Sequence, residues 1–370
     1  MAAFVCRGLR HQLSSARCVP STTKKLMKGE DPVLLGGYGA LLGLFVGDAA
    51  GAPLKYRGPV AEGDARHAVL EMPGGGINGV GRGQVTDSSE VSMAMAMGLA
   101  GHDPNNGFPT DSIAEQYVAW RLSGPFDLGR ALGEPFCPVL RHGEVSPGRS
   151  MRKAAIQHNA KCENNEALQR VVPLSIWAAT AARYSSPSLL ADMAAEDAEL
   201  THPSDVVQGC NAAYAIALQH LLLQPGDAQG AVAAAEEHVR SSPTCPAEVR
   251  EWLLKMSISG PPEKTCYEDT LHVRHAFTLA FHFLRNATPF EEAIFRTVLI
   301  GGDCDANAAI VGALLGALHG ANSISAYMQH PVLAFDSSTC RPSQPRPSIY
   351  SPYRIHQLLK GLLSLSKSLN

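Results

Sequence analysis

The chain has 370 residues, of which 45% are hydrophobic and 18% are charged, and its formal net charge is −3. It is long enough to bury a sizeable core, as one large domain or two smaller ones. The charge is that of an ordinary soluble globular protein without the basic surplus of a nucleic-acid binder, so we expect no nucleic-acid partner. The longest apolar stretches contain several glycines and fall short of a bilayer span, so we expect no membrane association.

The N-terminal residues 1–30 are basic and contain several Ser and Thr, with no acidic residue before Glu30. This composition is typical of a mitochondrial transit peptide, and it also fits a disordered basic extension of a cytoplasmic protein. We expect a mitochondrial location, with a cytoplasmic one as the alternative. The nine cysteines include no CxxC pair, which argues against a disulfide framework and indicates a reducing compartment.

Helical periodicity dominates the chain from about residue 33 onward, because apolar and small residues recur every three or four positions. Alternating β-branched runs are almost absent, so the predicted fold is all-α, a single compact multi-helix domain over residues 31–330. Residues 331–370 are predicted to be a Pro- and Ser-rich linker followed by a short amphipathic helix at 355–365. The other predicted helices cover 34–47, 90–99, 112–122, 172–182, 205–223, 269–284, 291–300 and 308–320.

One acidic motif, Gly301-Gly302-Asp303-Cys304-Asp305, precedes the Ala- and Gly-rich run 308–320. Carboxylates at i and i+2 cannot share one face of a regular helix, so Asp303 and Asp305 converge only where a turn leads into the helix. That geometry suits a divalent cation with oxygen ligands. Capping of the helix by either Asp is the ordinary alternative. Cys304 lies between two carboxylates that disfavour its thiolate, so we expect a weak nucleophile.

A second acidic motif, Thr86-Asp87-Ser88-Ser89-Glu90, lies far upstream at the start of a predicted helix. Thr86 and Asp87 can cap that helix. A hydroxyl and a carboxylate beside free backbone N–H groups also form half of a site for a hydrated cation, which Asp303 and Asp305 would complete. Glu90 follows Asp87 by three residues, and it either returns a carboxylate to this site or faces solvent near the helix N-terminus.

Five motifs, read in order, resemble those of the ADP-ribosylglycohydrolase (DraG-like) family. Residues 43–54 are similar to its opening helix G-x-x-x-G-D-x-x-G-x-P, and residues 83–87 to its G-Q-x-T-D-D-T. The sequence NEALQRVVPL at 165–174 is similar to its N-G-x-x-M-R-x-x-P-L. Thr201-His202-Pro203 and residues 301–305, which resemble G-G-D-T-D-T, complete the series. The resemblance covers about residues 35–325.

The resemblance implies an all-helical domain with two magnesium ions in a central cleft. In that family the ions position water and substrate while the bond between ADP-ribose and a protein side chain is hydrolysed. Carried over by motif position, Thr86, Asp87, Asp303 and Asp305 would be metal ligands, and the three aspartates would also be the catalytic residues. Ser88 would add a hydroxyl or water-mediated contact to the metal.

Three residues depart from the family pattern. Ser88 replaces the second Asp, Ala306 replaces the final Thr, and Lys55 stands where an acidic residue often follows the opening helix. Three aspartates, an inward-pointing Lys55 and two Mg²⁺ would leave an excess of positive charge in a partly buried cleft. We therefore predict one bound cation, or none with the Lys55 ammonium in place of a missing metal.

Two functions remain open at this point. The first is a Mg²⁺-dependent hydrolase that releases ADP-ribose from Ser, Arg or a small conjugate. The second is a catalytically inactive ADP-ribose-binding or structural protein, because the substitutions also resemble the branch of selenoprotein J and the jellyfish J-type crystallins. The residues predicted to contact the rest of ADP-ribose are Gly148, Arg149 and Ser150, expected to form a loop, and His202. We expect a monomer.

Overall fold

The computed structural model describes residues 31–364 apart from 130, 134, 136–145, 182–185, 260–265, 267 and 268. By its contacts the chain divides into Met1–Asp31 and one compact unit, Pro32–Asn370. The transit-peptide prediction for residues 1–30 lies outside the described residues. In the described part the regular structure is helical, apart from three isolated β-bridges, which confirms the predicted all-α class.

The helices are joined by connections of very different lengths. They are α1 (Pro32–Gly51), α2 (Glu62–Glu71), α3 (Asp87–Leu99), α4 (Thr110–Leu122), α5 (Pro147–Asn159), α6 (Val172–Ala178), α7 (Pro187–Glu199), α8 (Asp205–Leu223), α9 (Ala228–Ser241), α10 (Ala247–Glu251, continued by a π-helical turn at Trp252–Met256), α11 (Val273–Arg285), α12 (Phe290–Ile300), α13 (Cys304–His319), α14 (Ala326–Leu333) and α15 (Ile355–Leu363).

Helices α1 and α13 pack backbone against backbone in the core. A Cβ on Gly43 would lie 2.1 Å from the carbonyl oxygen of Gly312, and one on Gly47 would lie 2.1 Å from the carbonyl oxygen of Ala308. Only residues without a Cβ on α1 allow this approach. Because Gly47 meets the residue that comes earlier in α13, the two helices are antiparallel. The end of α1 therefore lies beside the start of α13. This arrangement brings the first resembled motif, residues 43–54, next to the last one, residues 301–305.

Helices α1 and α8 are long and apolar enough to cross a membrane, by length and composition alone. In the fold, 78% of the apolar window of each is buried inside the protein. This burial explains why their sequences are apolar on every side, as expected of core helices.

Helix boundaries differ from the predictions at two functionally relevant places. Helix α3 begins at Asp87 rather than near residue 90, so Glu90 lies in its first turn. The loop expected at residues 148–150 is wrong, because they form the first turn of α5. Pro147 at the first helical position favours this start, and the backbone N–H of Gly148 donates to the carboxylate of Asp111 at 2.9 Å.

The C-terminal segment, residues 335–354, packs beside the first turn of α3. Gln84 and Gln344 exchange hydrogen bonds: Gln84 Nε2 donates to the Gln344 carbonyl at 2.8 Å, and the Gln344 N–H donates to Gln84 Oε1 at 3.0 Å. Arg346 forms a buried ion pair with Glu90 at 2.7 Å. The segment that composition predicted to be a linker therefore contacts the element that carries Thr86 and Asp87.

Candidate metal centre

Three helix termini converge on one buried cluster of carboxylates. The end of α1 leads to Lys55, the start of α3 supplies Asp87, and the start of α13 supplies Asp303 and Asp305. The backbone of Arg57 pairs with that of Gly302 in an isolated antiparallel bridge, which ties the chain after Lys55 to the turn before Asp303. The acidic motifs predicted to complete one another are thus brought together, although 216 residues separate Asp87 from Asp303.

Lys55 lies among four carboxylates. Its Nζ is 2.7 Å from Asp127 Oδ2 and 2.9 Å from Asp305 Oδ2, and longer contacts of 3.7 and 3.9 Å reach Asp303 and Asp87. The Lys55 side chain is only 4% exposed. Burial by itself lowers the pKa of a lysine, but the four carboxylates outweigh it and raise the pKa of Lys55 well above its usual value. Lys55 is therefore a fixed cation within the cluster.

Asp48 is a fifth buried carboxylate, which lies behind Thr86. Its Oδ2 accepts from the backbone N–H groups of Thr86 and Ser89 at 2.9 and 3.1 Å, and its Oδ1 accepts from Thr86 Oγ1 at 2.7 Å. Asp48 thus satisfies N–H groups at the start of α3 that a helix leaves free. Thr86 Oγ1 also lies 3.2 Å from Asp305 Oδ2, so the hydroxyl connects Asp48 to the cluster.

Asp127 is the cluster member that sequence reasoning missed. It follows α4 in an irregular segment, and no neighbouring motif marks it. Besides Lys55, its Oδ2 accepts from Asn78 Nδ2 at 2.7 Å. The Asn78 carbonyl in turn accepts from Gln344 Nε2 at 2.7 Å, which links the cluster to the C-terminal segment. Asp48, by contrast, lay within the resembled Gly-Asp motif and could have been found there.

If all five were ionised, the carboxylates would carry more negative charge than Lys55 can offset. Burial raises the pKa of Asp303 to about 8 and, together with the neighbouring Asp305, that of Asp48 to about 7. Burial also raises the pKa of Asp87, with a contribution from the neighbouring Asp127. It raises the pKa of Asp127 as well, with a contribution from Asp305. With all five ionised, the positive surplus predicted from three aspartates would not arise, and the number of bound cations stays a prediction. One Lys and two divalent cations would balance five ionised carboxylates.

The capping alternative for the two acidic motifs is not what the structure shows. Asp303 precedes α13 and Thr86 precedes α3, but neither side chain makes a cap hydrogen bond to its own helix. Instead Asp303 Oδ2 accepts from Asn165 Nδ2 at 2.8 Å. Asp303 Oδ1 and Asp305 Oδ1 are buried and accept no hydrogen bond among the described residues, and the Lys55 ammonium lies 3.7 Å from the first of them. Buried carboxylate oxygens of this kind need a cation or a donor.

A metal could be held by oxygen atoms alone. Asp87, Asp127 and Asp305 each offer a carboxylate oxygen within 4.8 Å of the others, which suits a hard divalent cation. Lys55 contacts the same three carboxylates, so a metal there competes with the ammonium. The Oδ1 atoms of Asp303 and Asp305 accept no hydrogen bond and take no part in the two short Lys55 contacts. The donor set therefore fits a divalent cation, although Lys55 already supplies one positive charge.

Two predicted contributors to this site lie elsewhere. Ser88 was expected to supply a hydroxyl contact to a metal, but its Oγ donates to Gln169 Oε1 at 2.9 Å, so this prediction is corrected. Glu90 neither returns a carboxylate to the cluster nor faces solvent. It is 2% exposed, pairs with Arg346 and accepts from Trp120 Nε1 at 2.9 Å. Ser88 and Glu90, both in the first turn of α3, thus bind residues that are remote in the sequence.

The residues expected to contact the rest of ADP-ribose are not brought together. Arg149 and Ser146 line an open cavity of about 790 Å³ with Asp111 and Glu196, and no carboxylate of the cluster is among its lining residues. His202 instead lies fully buried beside Glu166, at 3.6 Å between Nε2 and Oε2. Cys304 is buried, and burial raises the pKa of its thiol well above the usual value, consistent with a weak nucleophile.

Comparisons with known proteins place this geometry in a family. The family model for ADP-ribosylglycohydrolase matches residues 37–340. The chain belongs to the ADP-ribosylglycohydrolase family.

Two curated members are similar over most of their length. An ADP-ribosyl-[dinitrogen reductase] glycohydrolase of Rhodospirillum rubrum is 25% identical over 288 residues, 77% of this chain and 86% of that protein. The ADP-ribosylarginine hydrolase Tri1 of Pseudomonas putida (strain GB-1) is 27% identical over 297 residues, 77% of this chain and 71% of that protein. A solved structure described as an ADP-ribosylglycohydrolase-related protein complex has the same fold, with a TM-score of 0.67 at 21% identity over 90% of this chain and 99% of that one.

Within this family, two departures of the chain from the resembled motifs contact each other. Ser88 stands at the second Asp of G-Q-x-T-D-D-T, and Gln169 at the Met of N-G-x-x-M-R. The Ser88 hydroxyl and the Gln169 amide form a buried hydrogen bond. The two replacements therefore lie in direct contact.

Proposed function

We propose that this ADP-ribosylglycohydrolase family member binds an ADP-ribosyl group over the carboxylate cluster and hydrolyses its glycosidic bond with the help of magnesium. The observation that carries this proposal is the excess of buried carboxylates, two of whose oxygens accept no hydrogen bond, around a single Lys55 ammonium. Relatives named as ADP-ribosyl hydrolases support the substrate class. Asp87, Asp127, Asp303 and Asp305 would hold the metal.

The protein's own residues would order this site before substrate binds. Asp48 fixes Thr86 through its hydroxyl and backbone, and Asn165 fixes Asp303. Such prior ordering lowers the reorganisation that a reaction requires. A bound divalent cation would polarise a ribose oxygen or orient the attacking water. Lys55 would partly neutralise the cluster and so weaken metal binding relative to a site made of carboxylates alone.

A second candidate function is ADP-ribosyl binding without turnover. It is favoured by the position of Lys55, whose Nζ lies within 3.9 Å of Asp87, Asp127 and Asp305, the three carboxylates close enough to share a metal. In that case the ammonium would be the permanent cation of the centre. A crystallin-type structural role is the other inactive alternative, and it does not require ADP-ribosyl binding.

The deciding experiment is incubation of the protein with Ser- and Arg-ADP-ribosylated peptides, with MgCl₂ or with EDTA, followed by measurement of released ADP-ribose. Release that depends on Mg²⁺ supports the hydrolase and also identifies the acceptor residue. If neither peptide is cleaved but ADP-ribose still raises the melting temperature, the second function is correct. If neither release nor a thermal shift occurs, both the hydrolase and the binding function are wrong, and only the structural role remains.

A further inference from the structure

A loop of glycines, residues 74–79, connects the carboxylate cluster to the C-terminal segment. Its sequence is Gly-Gly-Gly-Ile-Asn-Gly, and all four glycines have positive φ angles, between 58° and 83°. Such a backbone is accessible to glycine and strained for other residues. Only Ile77 and Asn78 carry side chains, and Ile77 is 69% exposed. Asn78 is therefore the residue of this loop whose side chain can tie it to the interior.

Asn78 holds Asp127, the most exposed of the four carboxylates that contact Lys55. Asn78 Nδ2 and Lys55 Nζ each donate to Asp127 Oδ2 at 2.7 Å. The two donors occupy both lone pairs of that oxygen. Among the described residues Asp127 Oδ1 accepts no hydrogen bond, so it is the oxygen left for a cation. Without Asn78 the carboxylate would be held by Lys55 alone and could present either oxygen to it.

Gln344 in turn holds the loop. Its Nε2 donates to the Asn78 carbonyl oxygen at 2.7 Å, and a Cβ on Gly79 would lie 3.4 Å from the same nitrogen. The backbone of Gln344 is anchored separately, because its N–H donates to Gln84 Oε1 and its carbonyl oxygen accepts from Gln84 Nε2. A substitution of the Gln344 side chain can therefore release the loop while the C-terminal segment remains attached to Gln84.

A glycine loop depends on such contacts for its position. Glycine has more backbone freedom than any other residue and no side chain to pack, so this loop has little stiffness of its own. On another side it rests against the end of α1, where a Cβ on Gly76 would lie 2.8 Å from the carbonyl oxygen of Pro53. Among the described residues, the side-chain hydrogen bonds that hold the loop are those of Asn78 and Gln344. Gln344 lies beyond residue 340, where the family match ends.

We propose that Asn78 and Gln344 are positioning residues of the candidate metal centre. Gln344 fixes the glycine loop, the loop presents Asn78, and Asn78 keeps Asp127 Oδ2 beside Lys55 so that Oδ1 is free for a divalent cation. The inference rests on the proposed magnesium-dependent function. Hydrogen bonds that orient a metal ligand raise the affinity of the site for the metal, although their donors do not touch the ion. The C-terminal segment, which supplies no residue of the cluster, thereby contributes to metal affinity.

The test is calorimetric titration of MgCl₂ into the full-length wild type, Asn78→Ala, Gln344→Ala, the double variant and the control Gln329→Ala. Gln329 is also partly buried, and its Nε2 donates to the carbonyl oxygens of Ala321 and Ile324 in the connection before α14. We expect Asn78→Ala to weaken Mg²⁺ binding about tenfold. Gln344→Ala, which acts through Asn78, should weaken it about threefold. In the Asn78→Ala background Gln344→Ala should have no further effect, because the amide that it positions is gone.

Thermal unfolding separates positioning from stability. Gln344→Ala and Gln329→Ala each remove hydrogen bonds from a glutamine amide to backbone carbonyl groups, so both should lower the melting temperature by similar amounts. Only Gln344→Ala should change the affinity for Mg²⁺. An affinity that falls equally in the two variants overturns the inference, since the loss of stability would then account for it.

The remaining outcomes also decide the matter. Unchanged Mg²⁺ affinity in Asn78→Ala or in Gln344→Ala overturns the inference and leaves the proposed function intact. Additive losses in the double variant overturn it as well, because Gln344 would then act by a route other than Asn78. Gln344→Glu keeps the shape of the side chain but cannot donate to a carbonyl oxygen, so it decides the question should Gln344→Ala fail to fold. A wild type that binds no Mg²⁺ overturns the proposed magnesium-dependent function and the inference together.

Discussion

The ammonium of Lys55 lies 2.9 Å from the carboxylate of Asp305, inside a cluster that the sequence motifs predict to bind metal. The two residues are joined by the antiparallel packing of α1 on α13, which brings the end of one helix to the start of the other. A side chain from the chain itself thus supplies part of the positive charge that the carboxylates require.

Replacement of Lys55 by Met should make the stability of the folded protein depend on dissolved Mg²⁺, because the internal ammonium no longer neutralises the carboxylates. Without metal, loss of one partner of a buried ion pair is expected to cost about 3 kcal/mol, because the carboxylates remain buried and repel one another. Millimolar Mg²⁺ should recover much of this loss and should stabilise the variant more than the wild type. Thermal unfolding in EDTA and in MgCl₂ measures both effects.

The matched control for Lys55 is Lys360→Met, since Lys360 is exposed on α15. It should change stability by less than about 0.5 kcal/mol. A Lys55→Met protein that is as stable as the wild type in EDTA, or indifferent to Mg²⁺, would contradict the role assigned to the ammonium.

Replacement of Arg346 by Met should show that the C-terminal segment is part of the folded domain, although the family match ends at residue 340. Arg346 and Glu90 are 5% and 2% exposed, so the substitution leaves a buried carboxylate unpaired. We expect a loss of about 3 kcal/mol in urea unfolding. The double variant Glu90→Met with Arg346→Met should lose less, because no unpaired charge remains.

Arg341→Met is the control in the same segment, since Arg341 is exposed. Its stability should remain close to that of the wild type. Equal stability of Arg341→Met and Arg346→Met would mean that the buried ion pair does not anchor the segment.

Acid should destabilise the protein through His202. Burial and Arg170 lower its pKa from 6.5 to about 3 in the folded state, while Glu166 and Thr201 are its other polar neighbours. Below pH 6.5, His202 therefore binds a proton in the unfolded chain but stays neutral in the folded protein. Stability from this group is present above pH 6.5 and is lost as pH falls toward 3, by up to about 1.4 kcal/mol per pH unit.

The measurement is urea unfolding at pH 6.5, 5.5 and 4.5 for the wild type and His202→Gln. Because Asp48, Asp303 and Glu166 have raised pKa values and contribute the opposite slope, only the difference between the two proteins is informative. The wild type should lose about 2 kcal/mol more than His202→Gln over this range. Parallel slopes would show that His202 is able to ionise in the folded protein.

A methyl group on Gly43 should disrupt the packing that assembles the site. Its Cβ would lie 2.1 Å from the Gly312 carbonyl oxygen, so α1 and α13 would have to separate. We expect Gly43→Ala to cost about 3 kcal/mol or to prevent folding. Gly63→Ala is the control, because a Cβ there has no neighbour within 4 Å on an exposed helix, and it should stabilise slightly. Similar melting temperatures for the two variants would refute the close approach.

The sequence alone predicted much of this protein. Three- and four-residue periodicity predicted the all-α fold, including the bounds of α8, because such repeats place apolar groups on the buried side of a helix. The motifs predicted the family, and they predicted that Asp87, Asp303 and Asp305 belong to one site. Those residues could be found because their types and spacing are local and their chemistry is restrictive.

Only the tertiary structure decided which groups surround these aspartates. Asp127 lies in an irregular segment without a motif, and Asp48 was visible in a motif but not as a partner of Thr86. The partners of Glu90 and Ser88, Arg346 and Gln169, are remote in the chain, and a side chain on α3 can turn to several neighbours with the same local sequence. The charge of a buried site is a sum over everything that packs around it. An inward-pointing Lys55 was one of the alternatives that the motifs offered, but the number of carboxylates it must offset could not be read from any single segment.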